Sequence, residues 1–459
     1  MLASINPYNG VLLKEYALHT STEINAILEQ AEISFSNFKN TPFETKAAYF
    51  LNCAEQLRIQ KLDLATLITL EMGKPIQEAI AEVEKCAQVC EYYADNAEDF
   101  LSDEIIASDA GSSFVSYEPL GVILAIMPWN FPLWQVFRFA APTLMAGNVA
   151  ILKHASNVPQ CAEAIEKIFM ESGFPKFVFS NIFCNSQHIP SIIENPIIKA
   201  VTITGSEKAG ASVASFAGKN IKKCVLELGG NDAFIVLPDA NLEHATNIAA
   251  KSRLSNAGQS CIASKRFIIH EEVYDNFLSM LGKKIDAYTT GDPMESTTQL
   301  SCLARPDLAK EVHAQVSQCI EQGATLIYGS NHYEDNSSLY KPVILGNVNS
   351  GVLAYHEEIF GPVFSTIKFK TIDEAIAIAN DSKYGLGGSV WSKNINEATR
   401  IARKIDSGAV FINGLVKSDP RLPFGGIKNS GYGRELSLLG IMEFVNAKTI
   451  WVGEVVANS

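Results

Sequence analysis

"AVTITGSEKAGAS", residues 200–212, runs from an apolar, strand-like segment through one glycine into a stretch with helical spacing. A strand feeding a helix through a tight glycine turn is the repeating step of an α/β chain. At such a turn the helix N-terminus leaves backbone N–H groups free, and these can receive a pyrophosphate. "GSEKAGAS" also has the spacing of a triphosphate-binding loop, but Ala211 stands where that loop needs its lysine. The dinucleotide fingerprint G-x-G-x-x-G is absent as well, so what survives is the turn and the helix end.

Working outward, apolar strand-like runs at 121–126, 149–153, 177–183 and 223–227 flank this one, with helical runs near 133–146, 159–172, 187–195 and 207–218. Continuous apolar strands separated by helices imply a parallel sheet covered on both faces. Ligands bind beyond the carboxyl ends of such strands. The residues there are Pro128-Trp129-Asn130, Lys153, Gly205-Ser206 and Glu227-Leu228-Gly229-Gly230. One amide, one cation, a glycine turn and a carboxylate suit a nucleotide site beside a reaction centre.

The first hundred residues read as mainly helical, opening with a capping box at Thr20 and Glu23. "SSFVSYEP" at 112–119 alternates like an exposed strand. A second alternating region follows, with strands "DAFIVL", "KRFIIH", "VFSTIKF", "GGSVWS" and "GAVFING" and helices beginning near Asn241, Glu272, Asp307, Asp373 and Asn396. Thr371 and Glu374 predict a second capping box. "KTIWVG" near the end is strand-like without an obvious partner in its own domain.

Bulk properties narrow the function. The chain has 459 residues, 47% of them hydrophobic, and a formal net charge of −13. That charge argues against nucleic acid or an anionic membrane as partner. The start lacks the basic and apolar pattern of a signal peptide, and no apolar run approaches the ~20 residues that cross a bilayer. Nine scattered cysteines, an odd number, read as reduced thiols of a cytoplasmic protein. Cys86 and Cys90 lie four apart without further ligands nearby, and "HEEIF" at 356–360 ends in Phe360 where a zinc motif needs histidine. No metal is expected.

One cysteine differs in context. "NAGQSCIASKR", residues 256–266, sets Cys261 among small and polar residues just ahead of a strand, thirty-four residues after Glu227. "MPWNFP", "LELGGND", "NAGQSC", "EEIFGPV" and "PFGGIKNSGYGRE" occur in that order along the chain. Together they resemble the NAD(P)-dependent aldehyde dehydrogenase superfamily over nearly the whole length, with the nearest likeness to its succinate-semialdehyde dehydrogenases. The resemblance implies a Rossmann-type parallel-sheet nucleotide-binding domain (1–111 and 120–227), an α/β catalytic domain (228–425) and a small β arm for oligomerisation (112–119 and 445–459). A homodimer or homotetramer would follow.

The same resemblance assigns roles. Cys261 is the nucleophile, Asn130 with the Cys261 N–H the oxyanion hole, and Glu227 the general base. Toward NAD or NADP, Trp129 and Asn130 line the nicotinamide end, and Gly205 and Ser206 meet the pyrophosphate. Leu228 and Gly229 lie beside the nicotinamide, Glu358 and Phe360 position its ribose, and Lys153 serves the adenosine ribose. Many NAD-preferring relatives carry a glutamate three residues after that lysine; Ser156 stands there instead, which implies that NADP is accepted too. Arg138 and Ser418 match residues that hold a substrate carboxylate. A second arginine six residues before the nucleophile is replaced by Ser255, with Arg253 or Lys417 as candidate substitutes. Ala263 replaces a second cysteine and precludes a disulfide switch. The expected reaction is oxidation of a small aldehyde, foremost succinate semialdehyde. Another small aliphatic aldehyde or semialdehyde is the alternative; Glu227 argues against a CoA-acylating enzyme, and the intact catalytic set against a non-catalytic relic.

Overall fold

Two parallel-stranded sheets, each in its own hydrophobic core, carry the chain, and the computed structural model describes residues 1–453. The first sheet has six strands in the spatial order Gly431–Tyr432, Lys223–Glu227, Ile198–Thr204, Val122–Met127, Val149–His154, Phe179–Asn181. All neighbours are parallel except the short Gly431–Tyr432 strand, which runs antiparallel to Lys223–Glu227. From Val122–Met127 the chain winds first to one side and then returns to the other through Ile198–Thr204. The strand order therefore reverses between these two neighbours, and a crevice opens where they end, at Trp129-Asn130 and Gly205-Ser206.

The second sheet has seven strands in the order Thr325–Tyr328, Val343–Gly346, Val363–Phe369, Arg266–His270, Ala233–Val236, Gly387–Trp391, Ala409–Ile412. Its central strands are apolar on both faces because helices cover both sides. The first two strands were not evident in the sequence: Thr325–Tyr328 is an antiparallel edge strand of four residues, half exposed. An N-terminal hairpin, Leu2–Ile5 with Leu12–Tyr16, was also not expected.

The helical first hundred residues form Ser21–Phe38, Phe43–Ile59, Lys61–Met72 and Ile76–Phe100. The Thr20–Glu23 capping box is present in both directions. At the second expected box only half forms: Thr371 Oγ1 accepts from Glu374 N–H, while the Glu374 carboxylate takes the Lys370 N–H instead. Strand Val445–Val452 pairs antiparallel with Ser112–Pro119 over its whole length, and Glu104–Ile105 adds a third strand. "KTIWVG" thus finds its partner in the same chain, and the expected arm beyond residue 453 lies outside the described residues. Between the two, residues 426–444 fold back on the first domain, with Leu436, Ile441 and Phe444 in its core.

Candidate active site

The turn at Asn130 is held from below by a helix far away in sequence. Glu82, on Ile76–Phe100, accepts the N–H groups of Leu133 and Trp134 at 2.9 and 3.0 Å and so caps helix Trp134–Met145. Glu82 is itself paired with buried Lys74, whose ammonium lies 3.8 Å from the centre of the Phe131 ring. A carboxylate at orphan helix N–H groups is doubly favoured, by hydrogen bonding and by the helix dipole. The result fixes where "PWNFP" leaves its strand.

The nucleophile loop is bent just as firmly. Asn256, Ala257 and Gly258 have φ of 52°, 51° and 77°, three left-handed residues in succession. Such strain persists only when the surroundings over-determine it, and here they do. Glu78 accepts the Asn256 N–H at 2.7 Å. The Asn256 amide donates to the carbonyls of Asn130 and Gln259, and Ala304 N–H donates to the Gln259 side chain. A Cβ on Gly258 would stand 2.3 Å from the Gly361 carbonyl oxygen, so no larger residue fits. Lys265 then reaches back to the carbonyls of Ser260 and Cys261 at 2.9 and 2.5 Å and to Glu358 at 3.0 Å.

This bend delivers Cys261 to the floor of a cleft of about 410 Å³, shared with Trp129, Asn130, Gly205, Ser206, Glu227, Leu228, Gly229, Glu358 and Phe360. Asn130 donates one amide hydrogen to Gln259 O at 3.0 Å. The Cys261 N–H makes no hydrogen bond among the described residues. The Asn130 amide and that N–H thus belong to residues lining the same cleft as the thiol. Burial pushes the thiol up to about 11, while Arg138 and Lys265 act in the opposite direction.

Glu227 ends its strand with both carboxylate oxygens buried and without a hydrogen-bond partner. Burial, followed by the nearby Glu435 carboxylate, raises its pKa well above the usual carboxylate range. Its own environment favours neither charge nor a fixed contact. That is the condition of a group kept to exchange a proton.

The donor set around the remaining cleft suits a dinucleotide. Ser206 caps helix Glu207–Lys219 by accepting from Ala209, and the N–H groups of Glu207 and Lys208 make no hydrogen bond among the described residues. Leu228 packs on Gly210 so closely that a Cβ there would lie 2.4 Å from it, which brings that helix N-terminus down onto the cleft. Trp129 and Phe360 meet edge to face with centroids 5.9 Å apart. Lys153 and Ser156 line other ground: Lys153 closes strand Val149–His154 near Cys184, and Ser156 edges a separate hollow with Arg305 and Asp307.

Comparison with known proteins decides what this geometry belongs to. The aldehyde dehydrogenase family model matches residues 1–450. The chain belongs to the aldehyde dehydrogenase family. A probable NADP(+) succinate-semialdehyde dehydrogenase of Synechocystis sp. is 49% identical over 451 residues, 98% of this chain and 99% of the relative. An NADP(+) succinate-semialdehyde dehydrogenase of Deinococcus radiodurans is 43% identical, covering 98% and 94%. The crystal structure of succinic semialdehyde dehydrogenase from Streptococcus pyogenes in complex with NADP+ superposes with a TM-score of 0.96 at 39% identity, covering 99% of this chain and 100% of that one.

In this aldehyde dehydrogenase the residues expected at the substrate carboxylate lie outside the cleft just described. Arg138 is buried against Glu435, with which it forms an ion pair, and its Nη2 reaches Thr204 Oγ1 at 3.4 Å. Its guanidinium lies 4.4 Å from the Phe424 ring centre. Nε faces Glu435 in the ion pair and Nη2 meets Thr204, so the expected two-pronged grip on a ligand is already partly taken. Arg253 donates through Nε and Nη2 to the carbonyls of Val363 and Ile359, its Nη1 is without a hydrogen-bond partner among the described residues, and Lys417 faces solvent; neither lines the cleft. Ser418 is buried and accepts from Trp134 Nε1 and from Lys85, a residue that sequence reasoning passed over. Glu78, Gln259, Lys265 and Glu435 were missed likewise.

Proposed function

We propose that this aldehyde dehydrogenase oxidises succinate semialdehyde to succinate, with NADP+ accepted alongside NAD+. The observation that carries the reading is the meeting of the Cys261 thiol, two oxyanion donors and the unpartnered Glu227 carboxylate in one cleft, with the Arg138 cation close enough to influence the thiol. The thiolate of Cys261 adds to the aldehyde carbon, and the carbonyl oxygen becomes an oxyanion held by Asn130 and the Cys261 N–H. Each well-placed donor of this kind contributes roughly 3–4 kcal/mol. A nicotinamide dinucleotide bound in the cleft supplies the hydride acceptor. Loss of hydride from the former aldehyde carbon leaves a thioester on Cys261. Glu227 then takes a proton from water as its oxygen attacks, the carbon–sulfur bond breaks, and a carboxylate is released. Names and structures of the relatives support both the substrate and the cofactor.

A panel of succinate semialdehyde, a longer semialdehyde and butanal, each with both cofactors, tests this. Succinate semialdehyde is expected to exceed butanal in kcat/KM by at least about tenfold, the worth of one charge-assisted contact. Equal values would leave a general aldehyde dehydrogenase. Added coenzyme A should change neither rate nor product, since water is the acceptor.

Cofactor choice turns on Lys153, the penultimate residue of strand Val149–His154, and Ser156, two residues past its end. A neutral, exposed Ser156 leaves room for a 2′-phosphate near the lysine ammonium. Ser156→Glu would introduce like-charge repulsion there, so kcat/KM for NADP+ is expected to fall about 10–100-fold while NAD+ changes little. Parallel losses with both cofactors would place the adenosine ribose elsewhere.

The arm is proposed to pair copies of the chain. Ile105, Trp451 and Val452 stand exposed on it, at 76%, 55% and 48% of their full surface. Exposed apolar residues gathered on one small sheet mark a surface meant for covering.

A further inference from the structure

Lys265 stands four residues after the nucleophile, just ahead of strand Arg266–His270, and is 2% exposed. Its ammonium meets three acceptors: Ser260 O at 2.9 Å, Cys261 O at 2.5 Å and Glu358 Oε1 at 3.0 Å. An ammonium has three hydrogens and no lone pair, so every donor is in use and none is left to trade with a substrate. We infer that Lys265 is a positioning residue for the oxidation: through the Ser260 carbonyl it aims and strengthens the Cys261 N–H as oxyanion donor, and through Glu358 it fixes that donor against the Gly229-Gly230 side of the cleft. The inference rests on the reaction proposed above and adds a residue to it.

The first observation is a matter of peptide geometry. The Ser260 carbonyl and the Cys261 N–H are two ends of one planar trans peptide unit and point in opposite directions. A group that holds the carbonyl therefore sets the direction of the N–H. Both lone pairs of Ser260 O are filled, by Ala263 N–H at 3.1 Å and by the ammonium. Cys261 sits in the turn so closed, and its own N–H makes no hydrogen bond among the described residues. A cation on the carbonyl also polarises the whole peptide unit, which makes the N–H at its other end a stronger donor.

The second observation is where the third hydrogen goes. Glu358 Oε1 accepts from the ammonium and from Gly230 N–H, the latter at 3.3 Å. The two glycines let these parts close up: a Cβ on Gly229 would stand 2.4 Å from Glu358 Oε2, and one on Gly230 would stand 2.9 Å from Cys261 O. Nucleophile loop, lysine and carboxylate thus pack as one unit. Charge balance alone does not explain the arrangement. One hydrogen would serve Glu358, and the other nearby carboxylate, buried Asp232, takes Gly387 N–H at 3.1 Å and nothing from the lysine side chain among the described residues. Two of the three hydrogens go instead to the carbonyls on either side of the Cys261 Cα.

Stopped-flow kinetics on the full-length enzyme give the first test. Lys265→Met is expected to slow the first turnover of succinate semialdehyde about 10–100-fold at saturating substrate and cofactor, with KM for the aldehyde within about threefold of wild type. Lys265→Gln, polar but uncharged, should fall between the two and serves if the methionine variant does not fold. A merely structural role would slow the enzyme without touching the acyl group, so a spectrum decides. In a Glu227→Gln background the thioester on Cys261 persists, and its carbonyl oxygen accepts from the same donors that hold the oxyanion. Difference infrared spectra with succinate semialdehyde isotope-labelled at the aldehyde carbon isolate that C=O stretch. Weaker donation stiffens the bond, so the band is expected at higher wavenumber in either Lys265 variant than in the Glu227→Gln parent. An unmoved band, or a first turnover within about twofold of wild type, overturns the proposal. A parent that yields no thioester band defeats the reaction reading itself, and that result appears before Lys265 is changed.

Discussion

With Cys261 replaced by alanine, no reduced cofactor forms from any aldehyde, in the first turnover or later. The sulfur is the only thiol lining the cleft among the described residues, and a thiolate adds to a carbonyl far better than water does. Loss of the reacting atom removes about 10⁴-fold or more of the rate. Stability should hardly notice, because the Cys261 side chain accepts and donates no hydrogen bond and borders the open cleft. The unfolding midpoint is expected within ~2 °C of wild type, the usual range for a substitution that breaks no packed contact. Stopped-flow absorbance of the nicotinamide and a thermal melt decide the matter together. Residual oxidation above a tenth of wild type would show that another group performs the addition.

Glu227→Gln should separate the two halves of the reaction. The first turnover forms the thioester without water, so a burst of about one equivalent of reduced cofactor per site is expected. Steady turnover then falls by roughly 10²–10⁴-fold, the contribution of a positioned general base. The direction of the pH effect follows from the site: burial and Glu435 raise the Glu227 pKa, so more of it is protonated near neutrality and wild-type kcat climbs with pH. In the glutamine variant that climb should flatten. Stability gives an independent sign. Both Glu227 oxygens lack donors, and the nearby Glu435 carboxylate, itself paired with Arg138, pushes the Glu227 pKa further up, so an amide there removes a buried carboxyl and relieves repulsion. The midpoint should rise rather than fall. Steady turnover within threefold of wild type would refute the base.

How much of this was legible in the sequence depends on the range of the forces involved. The five strands around 200–212 were readable because each buries a continuous apolar run, and their ends located Trp129, Asn130, Gly205, Ser206 and Glu227 without any structure. Edge strands such as Thr325–Tyr328 escaped, since four half-exposed residues carry no clear period. Lys85, Glu78 and Glu82 escaped for another reason. Charged residues on a long amphipathic helix read as its solvent face, and only the packing of Ile76–Phe100 beneath helix Trp134–Met145 turns them inward. Arg138 shows the same limit in reverse. Its helix position was evident, but its partner, Glu435, lies almost three hundred residues away in the chain.

The bonds around Asn256 bear on how such an enzyme can move. Asn130 belongs to the first sheet's crevice and Gln259 to the loop before the second sheet, yet the amides of Asn130 and Asn256 knit the two together, and Glu78 ties in the helical layer. Opening the two domains like a clamshell would break all of these at once, at the one place where attack and oxyanion geometry must agree to a fraction of an ångström. A hinge here would uncouple the nucleophile from its oxyanion donor at every stroke. Motion during the catalytic cycle is thereby confined to the bound molecules and to side chains around a stationary seam, and each stage of the reaction meets the same unmoved pair of donors.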